Sequence, residues 1–298
     1  MSAMFDLLAQ SPLFFYIFVF VISLMVGSFL NVVIYRLPIM MEKSWQREYQ
    51  SYFSQATTQH AEEPQTASVE PFNLVKPDST CPACGHRIRA WENIPVVSWL
   101  LLRGKCTSCQ TRISLRYPLV ELTTALLSVW VAVHFGYGSA ALCAIVLTWL
   151  LIAMTGIDID KMLLPDELTL PLLWFGLLIS LDSVFVSPAE AIIGAAAGYL
   201  SLWSVYWSFK LLTGKEGMGY GDFKLLAALG AFTGWQGLPI IVILSSLVGA
   251  IVGISLIALR KNDATQAIPF GPYLAVAGWL TLMYGSDIRE FYLQWALG

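Results

Sequence analysis

Residues Leu238–Leu259 read LPIIVILSSLVGAIVGISLIAL, 22 positions without a charged side chain. At 1.5 Å of rise per residue a helix of that length covers roughly 33 Å, enough for the hydrocarbon core of a bilayer. Moving outward, seven more stretches are apolar over comparable lengths: 13–35, 118–137, 139–157, 168–185, 191–209, 222–237 and 267–284. The expected fold is all-α and polytopic, with about eight transmembrane helices. Composition agrees: of 298 residues 57% are hydrophobic and only 12% charged, with a mean hydropathy of +0.66, whereas a soluble domain carries about 25% charged residues. Such a chain cannot clothe a globular surface in polar groups, so a soluble enzyme is excluded and the lipid bilayer is a partner. Nucleic acid is not, because 17 Lys and Arg against 20 Asp and Glu leave a net charge of −3 and no basic excess for phosphates. Five cysteines are too few for a disulfide miniprotein, and no period of 20 to 50 residues stands out.

The sixth stretch is the weakest, since its nearly uninterrupted run 225–235 is too short to cross alone and must borrow polar flanks or sit inside the bundle. The first is read as a retained anchor: its apolar run exceeds a signal peptide's core and no basic segment precedes it. Lysine and arginine resist translocation, so their positions set orientation. Ten of the 17 lie between Arg36 and Arg116, and Lys161, Lys210, Lys215, Lys224, Arg260 and Lys261 fall in alternate loops, leaving Arg289 by itself on the far side. Eight spans with both termini outside and the loop 36–116 in the cytoplasm satisfy this pattern, and dropping the sixth would push Arg260 and Lys261 outside.

Three parts follow: a first transmembrane helix (1–36), a cytoplasmic loop (37–116) and a seven-helix membrane domain (117–298). Within the loop, 40–55 spaces Trp45, Tyr49 and Phe53 at four residues among charges, as an amphipathic helix on the membrane surface would. The polar, proline-bearing stretch 56–73 is expected to be flexible. The glycine pairs Gly194/Gly198, Gly230/Gly234 and Gly249/Gly253 are read as packing notches between helices.

From 79 to 116 the loop becomes a cysteine module. Cys81-Pro-Ala-Cys84 and Cys106-Thr-Ser-Cys109 are two C-x-x-C pairs with 21 residues between them, the spacing of a tetrahedral four-cysteine site for structural zinc. Disulfides and redox-active thiols compete with this reading, but the charge pattern puts all four cysteines in a reducing compartment. Four thiolates leave no open ligand position, so such a metal organises the loop and does not hydrolyse. His86 is near enough to compete as a ligand but is not needed, and Cys143, in an apolar span, is read as packing.

Two acidic clusters stand at the cytoplasmic rim: Gly156-Ile-Asp158-Ile-Asp160-Lys161, followed by Leu164-Pro-Asp166-Glu167-Leu168, and Gly217-Met-Gly219-Tyr-Gly221-Asp222-Phe-Lys224. Ionisable groups at such depths are costly and default to function. Two neighbouring carboxylates share a proton, so that one acts as a base toward water and the other as an acid, which is aspartic-protease chemistry without metal. Asp158 and Asp160, two apart, point to different sides of a helix, so the partner comes from elsewhere, and the glycines around Asp222 leave room for a close approach. Asp160, Asp166 and Glu167 are read as interfacial acids beside Lys161 and Lys224, Glu121 and Asp182 as snorkelling end-turn acids, Glu190 as a loop residue outside, and His60 and His134 as structural. One rival is a cation transporter, which requires acids near the midplane on broken helices. Another is a non-catalytic scaffold presenting the zinc module, which leaves the matched depth of the two clusters unexplained.

These residues resemble the type IV prepilin peptidases, within the GxGD membrane aspartyl proteases. The matching stretches are Gly27-Ser-Phe-Leu-Asn-Val-Val-Ile-Tyr-Arg-Leu-Pro38, the two C-x-x-C pairs, Ile157-Asp158 through Leu164-Pro-Asp-Glu-Leu-Thr-Leu-Pro171, Gly219-Tyr-Gly-Asp222 and Pro269-Phe-Gly-Pro272. The resemblance implies that Asp158 and Asp222 are the catalytic dyad. It implies prepilin and pseudopilin substrates, cut after a short basic leader on the cytoplasmic side of a bacterial inner membrane. It further implies methylation of the new N-terminal amine by S-adenosylmethionine, with Gly104 and Lys105 in the part of the loop tied to that step. No Gly-rich fingerprint for that cofactor is present, and the interval 40–79 is long and polar beside the family pattern.

Overall fold

The computed structural model describes residues 2–57, 72–259 and 268–297. Within them the chain is helical, and the strand character is confined to two isolated bridges. A short helix α1 (Ser2–Gln10) precedes α2 (Pro12–Thr57). Then come α3 (Val97–Leu101), α4 (Arg116–Phe135), α5 (Ser139–Lys161), α6 (Asp166–Ile179), α7 (Pro188–Thr213), α8 (Tyr220–Thr233), α9 (Leu238–Leu259) and α10 (Gly271–Leu297). Among the described residues four helices are long and apolar enough to cross a membrane: Pro12–Phe53, Arg116–Phe135, Ser139–Lys161 and Leu238–Ser255. A helix stands at each of the other four expected spans, but α6 and α8 have only 14 residues each. The last expected span, 267–284, is met by a helix that begins at Gly271 and runs on to Leu297.

Two compact units share the chain. Val21–Ala125 forms one, and Met1–Phe20 with Leu126–Gly298 the other.

In the first unit, α2 differs from expectation. The amphipathic stretch 40–55 is not a separate surface helix but continues the apolar one without interruption, through Pro38. A change from apolar to charged side chains does not break a backbone hydrogen-bond ladder, and one proline removes a single donor. Trp45, Tyr49 and Phe53 are exposed, and Tyr49 stacks on Phe53 at 4.4 Å. Most of the stretch expected to be flexible, and His60 with it, lies outside the described residues. At its end Phe72 covers Lys43, 4.0 Å from the ring centre, and Arg36 donates to the Asn73 carbonyl at 3.0 Å. α2 and α4 touch backbone to backbone at Gly27, where a Cβ would stand 2.7 Å from the Glu121 Cα. Asn31 adds a hydrogen bond to the Tyr117 carbonyl at 3.1 Å.

The other unit is built around α8. Among Phe223, Leu225, Leu226, Ala227, Ala228, Leu229, Ala231 and Phe232 none is more than marginally accessible, and α6, α7, α9 and α10 all pack on this helix. The sixth expected span is thus the buried heart of its unit, the second of the two solutions open to so short a segment. Glycine permits it. Gly194 of α7 and Gly230 of α8 oppose each other so closely that a Cβ on either would strike the other's backbone, and one on Gly198 would stand 2.7 Å from the Leu226 carbonyl oxygen. These are the expected notches. Gly249 and Gly253, by contrast, meet side chains and no backbone, Tyr273 at 3.3 Å and Ile268 at 3.4 Å from a would-be Cβ.

Local chemistry fixes the helix ends near the acidic clusters. α5 stops at Met162, which takes the left-handed conformation and donates its N–H to the Asp158 carbonyl at 2.8 Å. Pro165 then caps α6 in an extended conformation, with Asp166 and Glu167 in the first turn, where negative charge is favoured. α7 opens with a capping box, Ser187 and Glu190 around Pro188, and closes at Gly214 with φ +71°. Glu190, expected as a plain loop residue, is thus a cap, and its other oxygen accepts from Gln236 at 2.9 Å.

Candidate active site and metal centre

Asp158 lies in the last turn of α5 and Asp222 in the first turn of α8. Both are buried, with 5% and 7% of their surface exposed. Among the described residues neither has a cationic partner. Asp158 Oδ2 instead accepts the Gly271 N–H at 2.9 Å, from the first residue of α10. Leu164 closes the space between the three elements: a Cβ on Gly221 would fall 2.6 Å from the Leu164 Cβ, and one on Gly271 would fall 2.7 Å from Asp158 Oδ2 and 3.1 Å from a Leu164 methyl. Close approach, not turn geometry, is thus what a Cβ would disturb at both glycines. Two carboxyl groups in a nearly dry site, one of them held by a backbone donor, are equipped for paired acid and base work on water.

The other acids separate from this pair. Asp166 forms an ion pair with Lys224 at 2.6 Å, tying the start of α6 to the start of α8 two residues beyond Asp222. Asp160 and Glu167 are exposed. Glu121 does not snorkel: it is buried and accepts the Val96 N–H at 2.7 Å. His134 stacks on Phe135 and Tyr284, in keeping with a structural role.

The four cysteines converge. The sulfurs of Cys81, Cys84, Cys106 and Cys109 lie within 4.8 Å of one another, with Cys81 and Cys109 3.7 Å apart, and no disulfide joins them. Zinc–sulfur bonds of about 2.3 Å in a tetrahedron set sulfurs about 3.8 Å apart, so the donor set fits zinc. Each pair sits in the same backbone knuckle. In the first, Cys81 N–H bonds the His86 carbonyl, Gly85 N–H the Cys81 carbonyl and Ile88 N–H the Ser79 carbonyl. In the second, Cys106, Gln110 and Ile113 donate to Thr111, Cys106 and Gly104 in the same way. Gly85 and Gln110 share a positive φ, and the bridges Thr80–Arg87 and Lys105–Arg112 close the two loops alike. Thr111, first through its hydroxyl 3.2 Å away and then through its backbone, holds the Cys109 thiol down to about 6, toward the ligand form.

His86 is not a ligand. It faces Glu92 at 3.2 Å, and Glu92 also accepts from the Thr107 hydroxyl at 2.7 Å and the Arg89 N–H at 2.8 Å. Those donors, the Arg89 backbone foremost, hold the Glu92 carboxyl at about 2, so it clamps both knuckles as an anion. Gly104 takes φ +64° and lets the Trp99 ring approach where a Cβ would stand at 2.7 Å; Lys105 beside it is exposed. The close approach of Trp99 accounts for a glycine at 104.

The pattern described as the Bacterial Peptidase A24 N-terminal domain matches residues 21–135, and that described as the Type IV leader peptidase family matches 145–254. The chain belongs to the type IV leader peptidase family. Relatives named prepilin leader peptidase/N-methyltransferase are 60% identical in Aeromonas salmonicida, over 99% of both chains, and 55% in Pseudomonas aeruginosa and 54% in Stutzerimonas stutzeri, over 98% of both. No solved structure matches. The leader peptidase match holds both Asp158 and Asp222, and the N-terminal match holds the four cysteines, Gly104 and Lys105. Gly271 lies beyond both matches but within the stretch Pro269-Phe-Gly-Pro272; its contact with a residue 113 positions earlier is what the sequence does not show. Glu92 was equally silent. The knuckle duplication was not: Cys-x-x-Cys-x-x-Arg-Ile occurs at 81–88 and again at 106–113.

Proposed function

We propose that this chain is a membrane aspartyl endopeptidase that removes the leader of type IV prepilins and pseudopilins and then N-methylates the new N-terminal residue. The names of its close relatives support both activities, and the buried pair Asp158 and Asp222, drawn from two helices, is the observation that carries the protease half. In this reading one carboxylate takes a proton from water while the other, protonated, donates a hydrogen bond to the scissile carbonyl. Water oxygen bonds the carbonyl carbon, the carbon–nitrogen bond breaks, and the departing amine leaves with a proton from the dyad. The Gly271 N–H holds Asp158 in line throughout. A transporter's acids belong near the midplane on broken helices; these stand in the terminal turns of intact ones.

The remaining parts of the reading are eight spans in a bacterial inner membrane, with the dyad and the loop 37–116 facing the cytoplasm and 117–298 forming the protease domain. The four cysteines hold a structural zinc ion that fixes the two knuckles. S-adenosylmethionine supplies the methyl group, and Gly104 and Lys105 are the proposed contribution of the second knuckle to that transfer.

The test is cleavage of a purified prepilin in detergent by wild type, Asp158→Asn and Asp222→Asn. Both variants should lose cleavage while still methylating pre-cut pilin and retaining zinc. Cleavage at wild-type rate by either variant would remove that residue from the dyad and turn attention to Asp160 or Asp166.

A further inference from the structure

Among the described residues the short helix α3 has a face with no protein against it. Trp99 turns inward, its indole N–H bonding the Ile113 carbonyl at 3.3 Å and its ring lying on Gly104. Val97, Leu100 and Leu101 turn outward at the one-face spacing of a helix, and Leu100 and Leu101 are 61% and 78% exposed. Trp91 and Ile94, in the turn just before, extend the same apolar patch and are about half exposed. In water such a patch costs free energy that nothing within the unit recovers.

Where α3 lies is fixed by its N-cap. Val96 holds φ +59°, a conformation a β-branched residue seldom adopts, and donates its N–H to the buried Glu121 carboxylate. Glu121 is the sixth residue of α4, one of the helices apolar enough to cross a membrane, and so lies roughly 7.5 Å along its axis from Arg116. A group tied there is at the level of headgroups and upper acyl chain, not out in bulk water. Charge agrees with this placement. Residues 73–116 carry seven lysines and arginines against two acids, Asp78 and Glu92. The −2 of a zinc tetrathiolate leaves the segment cationic still, and Arg89 and Arg103 flank the apolar patch on either side. A basic leader peptide would be repelled by such a surface, whereas an anionic lipid surface is its complement.

We infer that α3 and the turn before it form an interfacial anchor, with Leu100 and Leu101 among the acyl chains of an anionic leaflet and Arg89 and Arg103 on its phosphates. The anchor would hold the knuckles against the bilayer instead of leaving them on a free tether. The inference requires α4 to cross the membrane but not the assignment of the dyad.

The experiment places photoreactive p-benzoylphenylalanine at Leu101, and separately at Leu100 and at Asp78, in the full chain reconstituted in nanodiscs of phosphatidylcholine with one-fifth phosphatidylglycerol. Folding of each variant is checked by zinc content. After irradiation, intact mass should show one added phospholipid at 101 or 100 and none at 78. A preference of about fivefold over phosphatidylcholine should bring phosphatidylglycerol to about half of the adducts at low salt, against its one-fifth of the lipid, and Arg89→Gln with Arg103→Gln should return it to that fraction. Absence of lipid adducts at both 100 and 101 would overturn the anchor. So would adducts there to a second copy of the chain or to added prepilin. Adducts that follow the mole fraction in wild type would remove the cationic rim from it.

Discussion

Gly271→Ala should separate catalysis from stability. The added Cβ would stand 2.7 Å from Asp158 Oδ2, whereas a carbon–oxygen contact settles at about 3.3 Å, so the carboxylate must retreat by roughly 0.6 Å. For folding this is cheap, because the displaced atom is the end of a side chain. Alanine is also the better helix former at the first residue of α10, by up to about 1 kcal/mol. For the reaction it is not cheap, since the carboxyl displaced is half of the proposed dyad, and a misplacement near 1 Å costs about 100-fold. The expected result is a kcat about 10- to 100-fold lower, a KM little changed and a melting temperature equal to or above that of wild type. The assay is steady-state cleavage of prepilin in detergent beside a thermal unfolding scan. A kcat within twofold of wild type would refute the reasoning. So would full recovery of activity on adding Leu164→Ala, because that second change relieves the 3.1 Å and 3.2 Å contacts to Leu164 and leaves the one to Asp158.

Replacing Asp166 or Lys224 by alanine removes a half-exposed ion pair, so thermal scans should show a loss of no more than about 1 kcal/mol, with cleavage reduced severalfold at most. Gly230→Val drives a side chain into the backbone of α7 at Gly194, and unfolding in SDS titrations should come earlier by about 1–3 kcal/mol; an unchanged midpoint would mean that the two helices are not so close. Glu92→Ala strips the Arg89 N–H, Thr107 and His86 of their shared acceptor, and competition with a chromogenic chelator should show zinc held about 10- to 100-fold less tightly. The carboxyl of Glu92 sits at about 2 when folded and near 4.3 when unfolded. Its stabilisation is thus complete above the unfolded value and lost as pH falls through about 2. Metal loss from wild type between pH 7 and 5 therefore does not report Glu92 and is set by protons competing with the metal for the thiolates.

The two acidic clusters could be found from sequence because their signal is chemical, an acid at the edge of an apolar run being expensive wherever the chain takes it; the choice of Asp158 and Asp222 within them came from the resemblance, and the structure shows that both are buried. The cysteine module was legible for the same reason, as thiolates at that spacing have few other uses. α8 was half legible. Its shortness shows in the run 225–235, but only the structure shows which of the two escapes it takes, for that depends on the glycines of another helix. The reach of α2 to Thr57 was hidden because polarity changes along it while the backbone does not. Gly271 and Glu92 act through partners set by the fold, a backbone N–H in one case and three unlike donors in the other. The stretch Pro269-Phe-Gly-Pro272 marks Gly271 without naming its partner, and Glu92 has no pattern to read.

The burial of α8 bears on how the protein is made. At 14 residues the helix is roughly 21 Å long, too short to hold a bilayer-spanning position by its own partition energy. Its place among α6, α7, α9 and α10 exists only once those helices have gathered. The half of the proposed dyad that it carries, Asp222, would therefore be installed by assembly and not by insertion. A nascent chain halted before α10 would have Asp158 without the Gly271 donor and Asp222 without a finished seat. Such a chain would be inert toward the helices around it until synthesis is complete.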